Sequence, residues 1–519
     1  MSRLIVSLPP LEGTSSSDLV VGQEDNALPA IGIEVLKNGV IDTQASNDTI
    51  EGSATGGTDD GTGTGDTGGT GIVNSGTINA GEGGDTLKGT GTGGLGSLGG
   101  TGIGIANSGT INAGGKGDTI KGTGTGGTGD TGGTATGIAN SGTTNAGMGD
   151  DTIEGAGTGG EGYRGYLGFS IGISNTQGGY INGGDGKDSI KGTGNGGINN
   201  TQDSRIDGGL GDDLITGTAL TYEESAQGIS NTGSSDINGG QGNDSIFGTG
   251  TGSGDIADGT GIFNSGASVI SGGLGNDSIT GIGNGGAAVV LPFASYNASR
   301  GIGISNSEGS VINGDQGNDF ISGTGIGGAG FYDDNPFGSG PVKIAPGVGI
   351  GIINSGTISL GDGNNTIIGT GMGLGTGILN TNGIISSGAG ADTLTGYGTS
   401  IGIQGGTIDG GNGNDSFKAR RIDDSGNPVS NQGGAIADIV IKGGYGADTS
   451  DVGYGNATID GGSGSDKLIL PDFKSDYTIL GSSNNYTIKR DQFTLNVLNV
   501  EEIAFFGVPP QDSMQGVTL

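Results

Sequence analysis

Residues 172–192 read GISNTQGGYINGGDGKDSIKG; the phrase returns at 228–248 (GISNTGSSDINGGQGNDSIFG) and 261–281 (GIFNSGASVISGGLGNDSITG). About fourteen copies run along the chain. Each carries an aspartate near its end, at Asp48, Asp85, Asp118, Asp151, Asp188, Asp213, Asp244, Asp277, Asp319, Asp392, Asp415, Asp448 and Asp466, and Asn365 stands in once. A recurring unit of roughly 20–50 residues marks a solenoid. Each copy divides into T-G-I-x-N, G-T-I-x-G and D-x-I-x-G, and each piece sets an isoleucine between glycines or small polar residues. That alternation belongs to half-buried strands. No helical period occurs, and each glycine inside a helix would cost about 1 kcal/mol. The predicted fold is all-β: a parallel β-helix or β-roll solenoid of about fourteen coils, closed by a C-terminal antiparallel β cap.

The aspartates are separated by 37, 33, 33, 37, 25, 31, 33, 42, 46, 27, 23, 33 and 18 residues, counting Asn365 among them. Nearly all the extra length falls between D-x-I-x-G and the next G-I-x-N, the single corner where stacked coils accept insertions. Stacking predicts isoleucine ladders at 181, 206, 237, 270 and 312 and at 190, 215, 246, 279 and 321. Asn175, Asn231, Asn264, Asn306, Asn354 and Asn380 form a third ladder, read as internal amides capping backbone groups. At about 4.8 Å per strand, the stack would make a rod roughly 65 Å long.

Composition narrows the function. The 519 residues include 54 acidic and 19 basic ones, a net charge of −35, with no cysteine, histidine or tryptophan. Nucleic acid and anionic membranes are poor partners for such a chain. Thiol chemistry, disulfides and the usual zinc ligands are excluded. No apolar run is long enough to span a membrane as a helix. The first ten residues are too short for a secretory apolar region, so export is expected without a conventional N-terminal signal.

The segment G-G-x-G-x-D-x-I-x appears as GGDGKDSIK from Gly183, GGLGDDLIT from Gly208, GGQGNDSIF from Gly239, GGLGNDSIT from Gly272 and GGNGNDSFK from Gly410. It resembles the nonapeptide of the RTX (repeats-in-toxin, haemolysin-type) calcium-binding proteins. Calcium takes six to eight hard oxygens from carboxylates and carbonyls, and glycines permit the turn that aims them. The candidate metal ligands are Asp188, Asp213, Asp244, Asp277, Asp319, Asp392, Asp415, Asp448 and Asp466, with the turn glycines Gly183, Gly208, Gly239, Gly272, Gly410, Gly443 and Gly461. The same aspartates could serve only as turn caps. Unlike the family's tandem repeats, most copies here occur once per coil. Tandem spacing is confined to 443–469, making Asp448 and Asp466 the best calcium pair. The early turns AGEGGD (80–85), AGGKGD (113–118, with Lys116 inside it) and TQASND (43–48) are degraded, and weak or absent sites are expected there.

The domain expectation is an N-terminal cap over 1–29, a solenoid over 30–470 and a C-terminal β cap with a possible secretion segment over 471–519. The stretch from Asp466 to Gly507 is rich in Tyr, Phe, Leu and Val. It is similar to the module that closes repeat regions in cyanobacterial and other bacterial RTX proteins. The resemblance implies type I export and folding driven by extracellular calcium. Aromatic-bearing insertions at 160–169, 287–300 and 331–346 are expected to pack back on the solenoid flank, with sugar or protein binding as the alternative.

No catalytic constellation is present, so the chain is not expected to be an enzyme. The expected function is a secreted, calcium-binding structural or adhesive protein of a cell surface, S-layer or matrix. Calcium ions are its first partner, with a surface polysaccharide, a protein, or further copies joined end to end or laterally as others. The alternatives are a β-helix polysaccharide lyase or epimerase and an ice-binding solenoid. The second is disfavoured because the threonines at 55–70 and 123–136 read as corner residues.

Overall fold

The computed structural model describes residues 2–58, 68–163, 165, 167–222, 224–253, 257–291, 294–333 and 342–505. The chain divides into two compact units, Met1–Leu220 with Gln227–Gly248, and Thr221–Ala226 with Thr249–Leu519. Both are β-solenoids built on the same three-strand coil.

In the first unit the repeat opens at Leu4–Val6, Leu11–Glu12 and Leu19–Ala27, which pair in parallel with Ala30–Val35, Val40–Asp42 and Thr49–Gly56. Each later copy adds one strand to each ladder. Ile72, Ile105, Ile138 and Ile173 lie in register on the first, Ile181, Ile206 and Ile237 on the second, and Ile190 and Ile215 on the third. All of these isoleucines are buried. The interior is thin. A β-carbon on Gly122 would lie 2.2 Å from the Gly137 carbonyl and 2.7 Å from the Ile138 side chain. The facing walls meet backbone to backbone, and the repeat therefore spells one isoleucine and one glycine per inward pair.

Side-chain amides run beside the isoleucines. Asn74, Asn107, Asn140, Asn175 and Asn200 each donate Nδ2 to the next Oδ1, the last to that of Asn231, at 2.8–2.9 Å. Each donor also reaches a backbone carbonyl of the following turn, such as Thr110 or Asp236. Asn200 and the three before Asn175 extend the ladder expected from sequence.

The second unit repeats this plan, with Ile270 against Ile312, Ile279 against Ile321, and Asn264, Asn306, Asn354 and Asn380 bonded in series at 2.9–3.0 Å. It ends in the antiparallel strands Thr478–Ser482, Asn485–Arg490 and Phe493–Leu498. The last of these also pairs in parallel with Tyr454–Gly464, and Glu502–Phe505 pairs with Lys467–Leu470. Arg490 lies 4.5 Å over the Tyr454 ring and bonds Asp472, locking this end.

Two insertions form small hairpins, Val289–Leu291 with Ala294–Tyr296 and Phe331–Asp333 with Val342–Ile344. Tyr163 and Tyr332 are 73% and 65% exposed, more than the expected packing on the flank would leave them. Arg164, Tyr166, Phe293, Phe337 and the tail from 511 lie outside the described residues.

The threonines also depart from expectation. Thr55, Thr92, Thr125 and Thr158 are in register on one strand ladder, as are Thr90 and Thr123. Alternation with glycine turns each hydroxyl outward and each glycine in. These columns therefore line a sheet face, though the row Glu51, Lys88, Lys121, Glu154 runs beside them, with Lys88 and Lys121 each 2.7 Å from a glutamate.

Candidate metal centre

The turn before each D-x-I-x-G strand places its aspartate inside the coil. In the first unit Asp18, Asp48, Asp85, Asp118, Asp151, Asp188 and Asp213 each donate the backbone N–H to Oδ1 of the next member, ending at Asp244, at 2.6–2.8 Å. In the second unit the series runs Asp277, Asp319, Asn365, Asp392, Asp415, Asp448, Asp466 and then Glu501, at 2.7–2.9 Å. Every candidate aspartate is therefore in a carboxylate column of its unit, and each is at least 97% buried. The hydrogen bond from Asp448 to Asp466 is not peculiar to that pair. Their relationship is repeated across separations of 23, 33 and 37 residues, because added length loops out at the corner and leaves the column untouched.

One oxygen of each carboxylate is thus satisfied. The other, Oδ2 of Asp48, Asp85, Asp118, Asp151, Asp188, Asp213, Asp319, Asp392, Asp415, Asp448 and Asp466, is buried without a hydrogen-bond donor. Buried polar atoms are nearly always paired, and an unpaired charge is costlier than an unpaired dipole. Asn365 identifies what surrounds that position. Its Nδ2, where the aspartates carry Oδ2, lies 3.3 Å from the carbonyl of Gly363 and 3.4 Å from that of Ser387 in the next coil. In the aspartate copies an acceptor therefore faces acceptors.

The turn glycines have two separate tasks. The second and fourth, such as Gly184 and Gly186, have φ of +119° and +143°, a region closed to most side chains. The first does not. Gly183 is needed for space: a β-carbon there would lie 2.6 Å from Asp188 Oδ2 and 2.3 Å from the Gly208 carbonyl. Gly208, Gly272, Gly410, Gly443 and Gly461 stand against their own aspartates in the same way, and so does Gly314, which the sequence reading omitted. The early coils place Ala80, Ala113 and Ala146 at this point. Asp18 and Glu501, the ends of the two columns, were also missed because neither sits in a G-G-x-G-x-D turn.

Burial dominates the electrostatics. It raises the carboxyls of Asp118, Asp151, Asp213 and Asp415 to about 7, and those of Asp188, Asp244 and Asp392 to about 6, against the partly offsetting N–H donated to each. Neighbouring column members push several further in the same direction, as Asp188 and Asp244 do for Asp213. Asp85 is raised by burial too, although the nearby charge of Lys116 opposes the rise.

The donor set fits a hard cation: one carboxylate oxygen per coil with backbone carbonyls around it, and neither nitrogen nor sulfur. Among the described residues no three acidic side chains converge on one point. Any ion would thus be held by at most two carboxylates, with carbonyls of consecutive coils completing its shell.

No protein-family model matches the chain, and no curated protein matches it. Among solved structures it is similar to a hyperactive, Ca2+-dependent, β-helical antifreeze protein from an Antarctic bacterium, with 13% identity over 97% of this chain and 96% of that one and a TM-score of 0.31. At that level of likeness, calcium dependence remains a property of the neighbour.

Proposed function

We propose that the carboxylate columns bind calcium and that the protein is a calcium-stabilised, secreted β-solenoid with a structural or adhesive role at a bacterial surface. The observation that carries this reading is the set of buried Oδ2 atoms facing carbonyls with no donor between them. Such an arrangement requires either a proton or a cation at each aspartate coil. Calcium suits carboxylate and carbonyl oxygen and tolerates irregular geometry, whereas magnesium demands a near-ideal octahedron. At ten times its dissociation constant each ion contributes about 1.4 kcal/mol, so several sites together approach the stability of a whole domain. Sites tuned to extracellular calcium would be empty in a cytosol, which supports folding after export, as the resemblance to RTX proteins implies.

The test is far-UV circular dichroism of the chelated chain, titrated with calcium and then magnesium. Conversion from a disordered to a β spectrum at about 0.1–1 mM calcium, but not with magnesium, is expected. A β spectrum indifferent to chelator and calcium would reduce the aspartates to turn caps.

Ice binding is the second reading, favoured by the outward threonine columns. The Glu51, Lys88, Lys121, Glu154 row borders those columns with ion-paired charge, which is unlike an uninterrupted hydroxyl surface.

A further inference from the structure

One coil of the second unit departs from the rest in two coordinated ways. Its column member is Asn365, and the first position of its turn is Leu360, where most of the later turns have glycine. Leu360 is buried. Asn365 keeps the ladder intact: its Oδ1 accepts the Asp319 N–H at 2.8 Å, and its own N–H donates to Asp392 Oδ1 at 2.7 Å. What changes is the outer atom. A donor amide takes the place of the orphaned carboxylate oxygen and reaches the carbonyls of Gly363 and Ser387. Those contacts are the ones a bound cation would otherwise satisfy.

We infer that Asn365 is a built-in substitute for a calcium ion. Its coil holds no ion at any calcium concentration, and it divides the column into a segment at Asp277 and Asp319 and a segment at Asp392, Asp415, Asp448 and Asp466. The two segments load independently, because no ion sits between them to couple the carboxylates on either side. This inference rests on the calcium reading above.

The experiment uses the full chain and counts ions by calorimetry and by elemental analysis after gel filtration, alongside melting in chelator. Asn365→Asp is expected to bind one more calcium per chain than wild type and to melt lower in chelator. Asp392→Asn creates a second amide plug and is expected to bind one calcium fewer while melting higher in chelator. The second variant keeps the test decisive if the first fails to fold. Wild type that binds calcium, with both variants unchanged in stoichiometry, would overturn the inference alone. Wild type that binds none would overturn the calcium reading and this inference with it.

Discussion

The backbone N–H of Asp188 donates to Oδ1 of Asp213 at 2.8 Å, while Oδ2 of Asp213 has no donor. The two oxygens of one carboxylate thus have separate tasks, and substitutions can separate them. Asp213→Ala removes the acceptor for a buried N–H and is expected to cost about 1–3 kcal/mol in chelator. Asp213→Asn keeps that acceptor and should be at least as stable as wild type in chelator, yet lose one bound ion. Urea denaturation with and without calcium measures both.

The pH dependence should reverse sign when calcium is added. Burial raises the carboxyls of Asp118, Asp151, Asp188, Asp213, Asp244, Asp392 and Asp415 from 3.8 to about 6–7 in the fold, so the metal-free native state binds more protons than the unfolded chain across that interval. Stability in chelator is therefore fullest below about pH 4 and declines as pH rises through 7. Calcium needs the deprotonated form, so its stabilising effect should grow over the same range. Melting temperatures at pH 4 to 8 in chelator and in calcium check both slopes.

The glycines should sort into two classes. Gly186→Ala places a β-carbon 1.8 Å from the Gly149 carbonyl at φ +143° and is expected to destabilise by more than about 2 kcal/mol whatever the calcium concentration. Gly183→Ala carries no φ penalty but meets the Gly208 carbonyl at 2.3 Å and Asp188 Oδ2 at 2.6 Å, and alanine already occupies that place at Ala80, Ala113 and Ala146. It should fold and lose calcium at its own coil. Thermal melts paired with ion counting separate the two outcomes.

The asparagine ladder should be indifferent to metal. Asn200 accepts from Asn175 at 2.8 Å and donates to Asn231 and to the Asp236 carbonyl, both at 2.9 Å. Asn200→Ala is expected to cost about 1–3 kcal/mol equally with and without calcium. A cost confined to one condition would tie this ladder to the ions.

Much of the architecture was legible because the chain repeats its own instructions. Isoleucines 181, 206 and 237 could be stacked from the alignment of copies alone, since each coil solves the same burial problem. Corner insertions were legible as interruptions of an otherwise constant phrase. The site was legible only in outline. The aspartates could be found from their turns, but which oxygen is spent on the previous coil depends on contacts between residues 18 to 46 apart. Tandem spacing at 443–469 looked special because distance along the chain was standing in for distance across the stack. Asp18 and Glu501 lack the glycine turn, and only the hydrogen-bond series reveals them. The threonines were misplaced because T-G-T reads as a loop until the glycines are seen to face a wall too close for any side chain.

The most direct measurement is anomalous diffraction from crystals grown in calcium. The expected result is calcium peaks about 2.3–2.6 Å from Oδ2 of Asp188, Asp213, Asp392, Asp415 and Asp448, and none beside Asn365. Featureless maps at those positions, with each Oδ2 drawn within hydrogen-bond distance of a carbonyl as a protonated acid, would contradict the calcium column.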